Sequence, residues 1–251
     1  VPLPLDGQVA IVTGAARGIG RAASRRLAAD GARVALFDKD RQAAEAAADG
    51  IAEDGLAAEP HEVDVTDEDG IAVAVRKVLD THGRIDVLVN NAGIYPHTPF
   101  EELTFEEWRR VLSTNLDSVF LVTSAVYPHL RERGYGRIVN ISTAAFLIGY
   151  PELTPYLSSK GGIIGFTRSL AAEAGRHGIT VNAITPGMIE TEGTKEEDPE
   201  GELFEEIGAD QAIKRRGRPE DIAETIAYLA SPAAGFITGQ TINVDGGHRM
   251  H

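Results

Sequence analysis

Short runs of β-branched and apolar residues recur along the chain, separated by longer stretches in which apolar residues fall three and four apart. The runs Val9–Thr13, Arg33–Asp38, Ala58–Val63, Val87–Asn90, Gly136–Ser142, Thr180–Thr185 and Thr241–Val244 predict seven strands. Between them, Ile71, Val75, Val78 and Leu79 share one helical face, as do Ile222, Ile226 and Leu229. Strands alternating with amphipathic helices are the pattern of βαβ units around a buried parallel sheet, so the expected fold is α/β, doubly wound, with helices on both faces. Thr104 followed by Glu107 resembles a capping box that opens a long helix through Tyr127, and Pro219 is placed for a first helical turn. One stretch departs from the pattern. Residues 190–210 combine Gly193, Pro199 and Gly201 with a dense run of acids, and only Leu203, Phe204 and Ile207 to anchor them, which predicts a mobile lid or disordered loop.

Composition narrows the possibilities. At 251 residues, 43% hydrophobic and 25% charged, the chain suits one soluble domain over 1–251. The absence of cysteine removes disulfides, thiolate metal sites and thiol nucleophiles, and suits a reducing compartment. A net charge of -14 repels nucleic acid over much of the surface. No apolar run approaches the ~20 residues of a membrane span, and the start Val1-Pro-Leu-Pro-Leu lacks a basic targeting region, so the expectation is a cytoplasmic protein bound to no membrane. The histidines suggest no metal site, and His248 and His251 read as solvated tail residues.

The chemistry begins where the first strand runs into Thr13-Gly-Ala-Ala-Arg-Gly-Ile-Gly20 and then a helix. Gly14, Gly18 and Gly20 permit a tight turn and let a diphosphate reach backbone N–H groups at a helix N-terminus. The second strand ends at Asp38, where a carboxylate accepts from the adenosine ribose hydroxyls and repels a 2′-phosphate. NAD is therefore the expected cofactor, although Arg17 inside the loop offers a phosphate partner. Tyr156 and Lys160 fall one helical turn apart on one face.

Thr13–Gly20, Asp38, Asp64-Val65, Asn90-Asn-Ala-Gly93, Asn115, Ser142-Thr143, Tyr156 with Lys160, and Pro186-Gly187 with Thr191 follow one another in the order and spacing of the short-chain dehydrogenase/reductase family. The resemblance spans Val9 to Gly247, implies a single Rossmann-type domain, and looks nearest to bacterial NAD-linked dehydrogenases of aryl or ring-bearing secondary alcohols and pyridoxal-like substrates. It implies that Asn90, Ala92 and Gly93 flank the cofactor, that Asp64 and Val65 meet adenine, and that Pro186, Gly187, Ile189 and Thr191 hold the nicotinamide side beside Ile19 of the glycine loop. It also implies that Asn115, inside the long helix, anchors a water of a proton relay. Members usually carry a serine thirteen residues before the tyrosine; here Thr143 holds that place, with Ser142 one earlier. Neighbours at a strand end point to opposite faces, so one hydroxyl alone is expected to face the substrate, by spacing Thr143.

Oxidising an alcohol requires a base for its hydroxyl proton. Lowering a tyrosine from ~10 to ~7 requires about 4 kcal/mol. One ammonium ~4 Å away supplies about that much at an effective dielectric near 20. Tyr156 is thus the expected acid/base, Lys160 its activator and ribose ligand, and Thr143 the donor to the substrate oxygen. Tyr95, Phe146, Tyr150, Leu153 and Met188, with Phe204 from the insertion, are the expected substrate lining, suited to a hydrophobic ketone or secondary alcohol. A 3-oxoacyl-carrier-protein reductase shares these motifs; Arg131, Arg133 and Arg137 are the small basic patch that an acidic carrier would use. A non-catalytic dinucleotide sensor has no need of the Tyr/Lys pair. The resemblance further implies a homo-tetramer, to which Ile163, Phe166 and Leu170 offer an apolar stripe.

Overall fold

The computed structural model describes residues 3–250; Val1, Pro2 and His251 lie outside them. In chain order the elements are Val9–Thr13 (β1), Gly18–Ala29 (α1), Arg33–Asp38 (β2), Arg41–Ala52 (α2), Ala58–Glu62 (β3), Glu68–His82 (α3) and Val87–Asn90 (β4). Phe105–Leu112 (α4), Ser118–Arg133 (α5), Gly136–Ile141 (β5), Thr154–Ala174 (α6) and Ile179–Pro186 (β6) follow. Glu192–Glu197 (α7), Glu202–Asp210 (α8), Pro219–Ala230 (α9) and Thr241–Val244 (β7) complete the chain.

The strands pair in parallel in the order β3-β2-β1-β4-β5-β6-β7, as expected of a doubly wound sheet. Alternation along β1 builds both layers: Ala10 and Val12 join Leu27, Ile222 and Ile226 on one face, while Val9 and Ile11 join Ile71, Val75, Val126 and Leu130 on the other. Hence every β1 residue is buried. The chain reverses its winding between β1 and β4, and the cleft opens at the C-terminal ends of these strands.

Strand limits differ from the sequence expectation by one residue at the end of β3 and of β5 and at both ends of β6; at β5 the ladder tapers rather than stops, and Ser142 still donates to the Ile184 carbonyl at 2.8 Å. Three larger differences have physical causes. The helix expected from Thr104 through Tyr127 is interrupted by a π turn at Ser113–Asp117, and α5 continues until Gly134 takes a left-handed conformation. Thr104 does cap α4 by accepting from the Glu107 N–H, but the Glu107 carboxylate turns to the Thr98 hydroxyl, so the box is half formed. The 190–210 insertion is neither a bare loop nor disordered. It folds into α7 and α8, because Leu203, Phe204 and Ile207 make one apolar face and Phe204 is buried under Arg216, 4.8 Å from its ring.

The expected basic patch is not assembled. Arg137 lies buried at the start of β5 over the Tyr135 ring, bonded to the Gly136 and Gly178 carbonyls, and Arg133 leans on buried Asp86 at 3.6 Å. The apolar stripe is also partly spent internally: Ile163 is buried in its own chain, and Phe166 instead borders a shallow depression with Leu116 and Phe120. Among the described residues no helix is long and apolar enough to cross a membrane, and no cluster of acids and histidines has metal-holding geometry.

Candidate active site

A cleft of about 700 Å³ runs across the strand ends. Its cofactor half is stiffened by Thr13 and Asn91. The Thr13 hydroxyl accepts from the Asn91 and Ala92 N–H groups at 3.0 and 3.1 Å, and the Asn91 amide donates to the Thr13 and Gly14 carbonyls at 3.0 Å. This ties the first loop to the end of β4. Gly14, Arg17, Gly18 and Ile19 line the cleft. Gly20 does not; its role is packing, since a Cβ there stands 2.1 Å from the Gly14 carbonyl oxygen. Asp38 lines the cleft with Lys39 beside it, and its carboxylate accepts the Ala16 N–H at 3.0 Å and the Asp40 N–H at 3.1 Å.

Asp64 and Val65 form the wall beyond, where the Thr66 side-chain and backbone donors hold the Asp64 carboxyl below its usual range. Ala92, Gly93, Pro186, Gly187, Met188, Ile189 and Thr191 border the other half, and the Thr191 hydroxyl caps α7 by accepting from the Thr194 N–H. Asn90 stays out. It points into the sheet and donates to Asn140 at 2.8 Å and Thr123 at 3.1 Å, so Asn91, Ala92 and Gly93 are what that stretch brings to the cleft.

Tyr156 lies on the first turn of α6, its ring 5.8 Å from that of Tyr95. Lys160 follows one turn on, with Nζ 5.8 Å from the Tyr156 ring centre and donating to the Ile141 carbonyl at 2.8 Å. Burial pulls this lysine down to about 8. Both Ser142 and Thr143 line the cleft. The strand ends at Ile141, so its alternation no longer governs them. The Ser142 hydroxyl is committed to the Lys160 carbonyl at 2.8 Å, whereas the Thr143 oxygen accepts from the Ala145 N–H and its proton goes to none of the described residues.

Asn115 is fully buried and does not border the cleft. Its amide bonds the Ile94 N–H and carbonyl, both at 2.8 Å, and donates to the Ser159 hydroxyl at 3.1 Å, so it positions the β4 loop against α6. Of the residues expected to line a substrate pocket, Tyr95, Tyr150, Leu153 and Met188 border the cleft. Phe146 does not; it lies half exposed on Gly161, which leaves room for its ring. Phe204 faces the body rather than the cleft, and its neighbours Leu203 and Ile207 take that place. His248, expected in a solvated tail, borders the cleft, because Asp245 folds the tail back by accepting the Gly247 and Arg249 N–H groups. The pattern also gave no sign of His97, Arg110 and Thr114 as lining.

The combination of a glycine-loop cradle and a Tyr/Lys helix facing a hydroxyl-bearing strand end extends to the whole sequence: residues 14–249 match the family model described as enoyl-(acyl carrier protein) reductase. The chain belongs to the short-chain dehydrogenase/reductase family. This family member is 42% identical to the 3-oxoacyl-[acyl-carrier-protein] reductase of Synechocystis sp. over 248 residues, 98% of each chain. It is 41% identical to the short-chain reductase protein NovJ of Streptomyces niveus, over 95% of this chain and 93% of that one. The crystal structure of gox2181 superposes with a TM-score of 0.94 at 37% identity, covering 98% of this chain and 97% of that one. Proteins of this family use nicotinamide cofactors, and the chemistry of the cradle suits one: a glycine loop at a helix N-terminus and the Asp38 carboxylate line a cleft of about 700 Å³.

Proposed function

We propose that this short-chain reductase interconverts a carbonyl and a secondary alcohol on a 3-oxoacyl thioester, with NAD(H) as the preferred cofactor. The observation that carries the chemistry is the meeting of Tyr156, Lys160 and Thr143 at one cleft wall, where the Ile141 carbonyl that holds Lys160 lies two residues before Thr143. Gly14, Gly18, Ile19, Asp38, Asp64, Val65, Pro186, Gly187, Ile189 and Thr191 are the residues that would hold the dinucleotide. When bound there, the reduced nicotinamide would supply the hydride that the carbonyl carbon accepts. The Thr143 hydroxyl donates to the carbonyl oxygen and Tyr156 delivers the proton to it, while the Lys160 charge stabilises the phenolate left behind. Supporting the thioester is the 42% identity to a 3-oxoacyl-[acyl-carrier-protein] reductase, together with an apolar lining of Ile148, Leu153, Met188, Leu203 and Ile207 suited to an acyl chain.

A second reading, a free hydrophobic ketone or secondary alcohol, is favoured by the missing basic patch on a chain of charge -14. Assaying a 3-oxoacyl group on a small thiol, the same group on an acyl carrier protein, and an aryl ketone separates the two. Higher kcat/KM for the ketone than for both thioesters would sink the first reading. Within it the enzyme is cytoplasmic and a homo-tetramer, joined in part through the Phe120 and Phe166 surface; light scattering that gives a stable 26.8 kDa particle rejects the assembly.

Two expectations follow for the cofactor and the hydroxyl pair. NADH should show the higher kcat/KM, because Asp38 repels a 2′-phosphate; preference for NADPH in steady-state kinetics would mean that Arg17 and Lys39 outweigh it. Thr143→Ala should lower kcat and kcat/KM together by about a hundredfold or more, as loss of a donor strongest at the developing oxyanion, while Thr143→Ser retains activity. Ser142→Ala should cost much less, since its hydroxyl already serves the α6 backbone. The reverse ranking gives Ser142 the role.

A further inference from the structure

The first turn of α1 is the anion-seeking end of the glycine loop: its first N–H groups have no intrahelical partner, and Gly18 and Ile19 line the cleft. In this structure a side chain already engages it. Glu192 Oε2 accepts the Gly18 N–H at 3.1 Å, and Glu192 Oε1 pairs with Arg21, one turn along the same helix. Thr191 packs beside them, its methyl 3.3 Å from where a Gly18 Cβ would stand. Burial pushes the Glu192 carboxyl up, but its own backbone N–H, Arg21 and the Gly18 N–H outweigh this and hold it below its usual range, so it is an anion at neutral pH.

Glu192 is also the first residue of α7, and the chain beyond it carries α8, whose Leu203 and Ile207 form part of the substrate wall. One carboxylate thus joins the cofactor loop to the segment over the substrate half. We propose that Glu192 is a plug for the cofactor loop: its carboxylate holds the anion position at the N-terminus of α1 until a dinucleotide's diphosphate displaces it, and displacement frees residues 192–210 from that loop. The proposal rests on the dinucleotide reading above. Its physical basis is that two anions cannot share the same donor without repulsion, while Arg17, which also lines the cleft, remains to meet the incoming phosphates.

Calorimetric titration of wild type and Glu192→Gln with ADP-ribose, which carries the diphosphate, and adenosine, which does not, tests this. The glutamine variant should bind ADP-ribose about three- to tenfold more tightly, through loss of a competing charge at the helix end, and adenosine equally well. Hydrogen exchange gives the second measurement. In wild type, amides of 192–210 should exchange faster once ADP-ribose is added; in Glu192→Gln they should be fast beforehand. Weaker or unchanged ADP-ribose binding in the variant, or an equal shift for adenosine, overturns the plug and leaves the cofactor reading standing. Failure of wild type to bind NADH, ADP-ribose and adenosine alike overturns both. Glu192 and Arg21 are both about half exposed, so the fold does not depend on an intact pair and the variant reports on binding alone.

Discussion

Tyr156→Phe should lower kcat by about a thousandfold or more while the dissociation constant for NADH stays within about twofold. The substitution keeps the ring that stands 5.8 Å from Tyr95 and beneath Lys160, and removes only the oxygen proposed to exchange a proton. Steady-state turnover set against a fluorescence titration of NADH reads the two effects separately. Residual activity above a tenth would move the proton carrier elsewhere in the cleft; parallel loss of turnover and cofactor affinity would make the tyrosine a binding residue.

Lys160→Met should abolish useful turnover and yet make the protein more stable. A lysine ordinarily near 10.5 is drawn to about 8 here by burial. Between those values the unfolded chain holds a proton that the folded chain has released, so wild-type stability rises with pH across this window. Below about 8 the folded state bears the full cost of the buried charge, about 3 kcal/mol. Methionine removes that cost and forfeits the bond to the Ile141 carbonyl, worth about 1 kcal/mol. At pH 7 the variant should therefore melt roughly 4–8 °C higher, for about 2 kcal/mol in a domain of this size. The gap should close as pH approaches 10. Thermal denaturation at pH 7, 8, 9 and 10 checks it: a less stable variant at pH 7, or a gap that widens with pH, contradicts the account. The same shift leaves Lys160 charged at neutral pH and neutral well above 8, where its support for the Tyr156 phenolate is lost.

Much of the fold was legible because β-branched runs and helical spacing report burial directly, and three of the seven strands, β3, β5 and β6, differ only at their ends. The cofactor half was nearly as legible, since a glycine loop needs a strand before it and a helix after it, and both patterns are local. The misses share a cause: each depended on which way a side chain points once local periodicity ends. Asn90 and Asn91 are chemically identical neighbours, and only the β4 register sends one into the sheet and the other to Gly14. Phe146 has the aromatic character of a pocket wall, but Gly161 on another element makes room for it outside. In 190–210 the acids obscured an apolar face of three residues, and the charge of Arg137 suggested a surface that its strand position denies it.

The π turn at Ser113–Asp117 gives the helix over the cleft a length constraint that no single side chain carries. Such a turn holds one residue beyond what a straight α-helix needs, and each residue rotates the helix by about 100°. Deleting one residue there would let the backbone ladder run on undisturbed, a locally favourable change, yet it would swing Asn115 away from Ile94 and Ser159 or turn the Val122, Val126 and Leu130 face off the sheet. Insertions and deletions are therefore barred from this helix by phase rather than by packing volume, and any shortened version must lose either its grip on the β4 loop or its seat on the core.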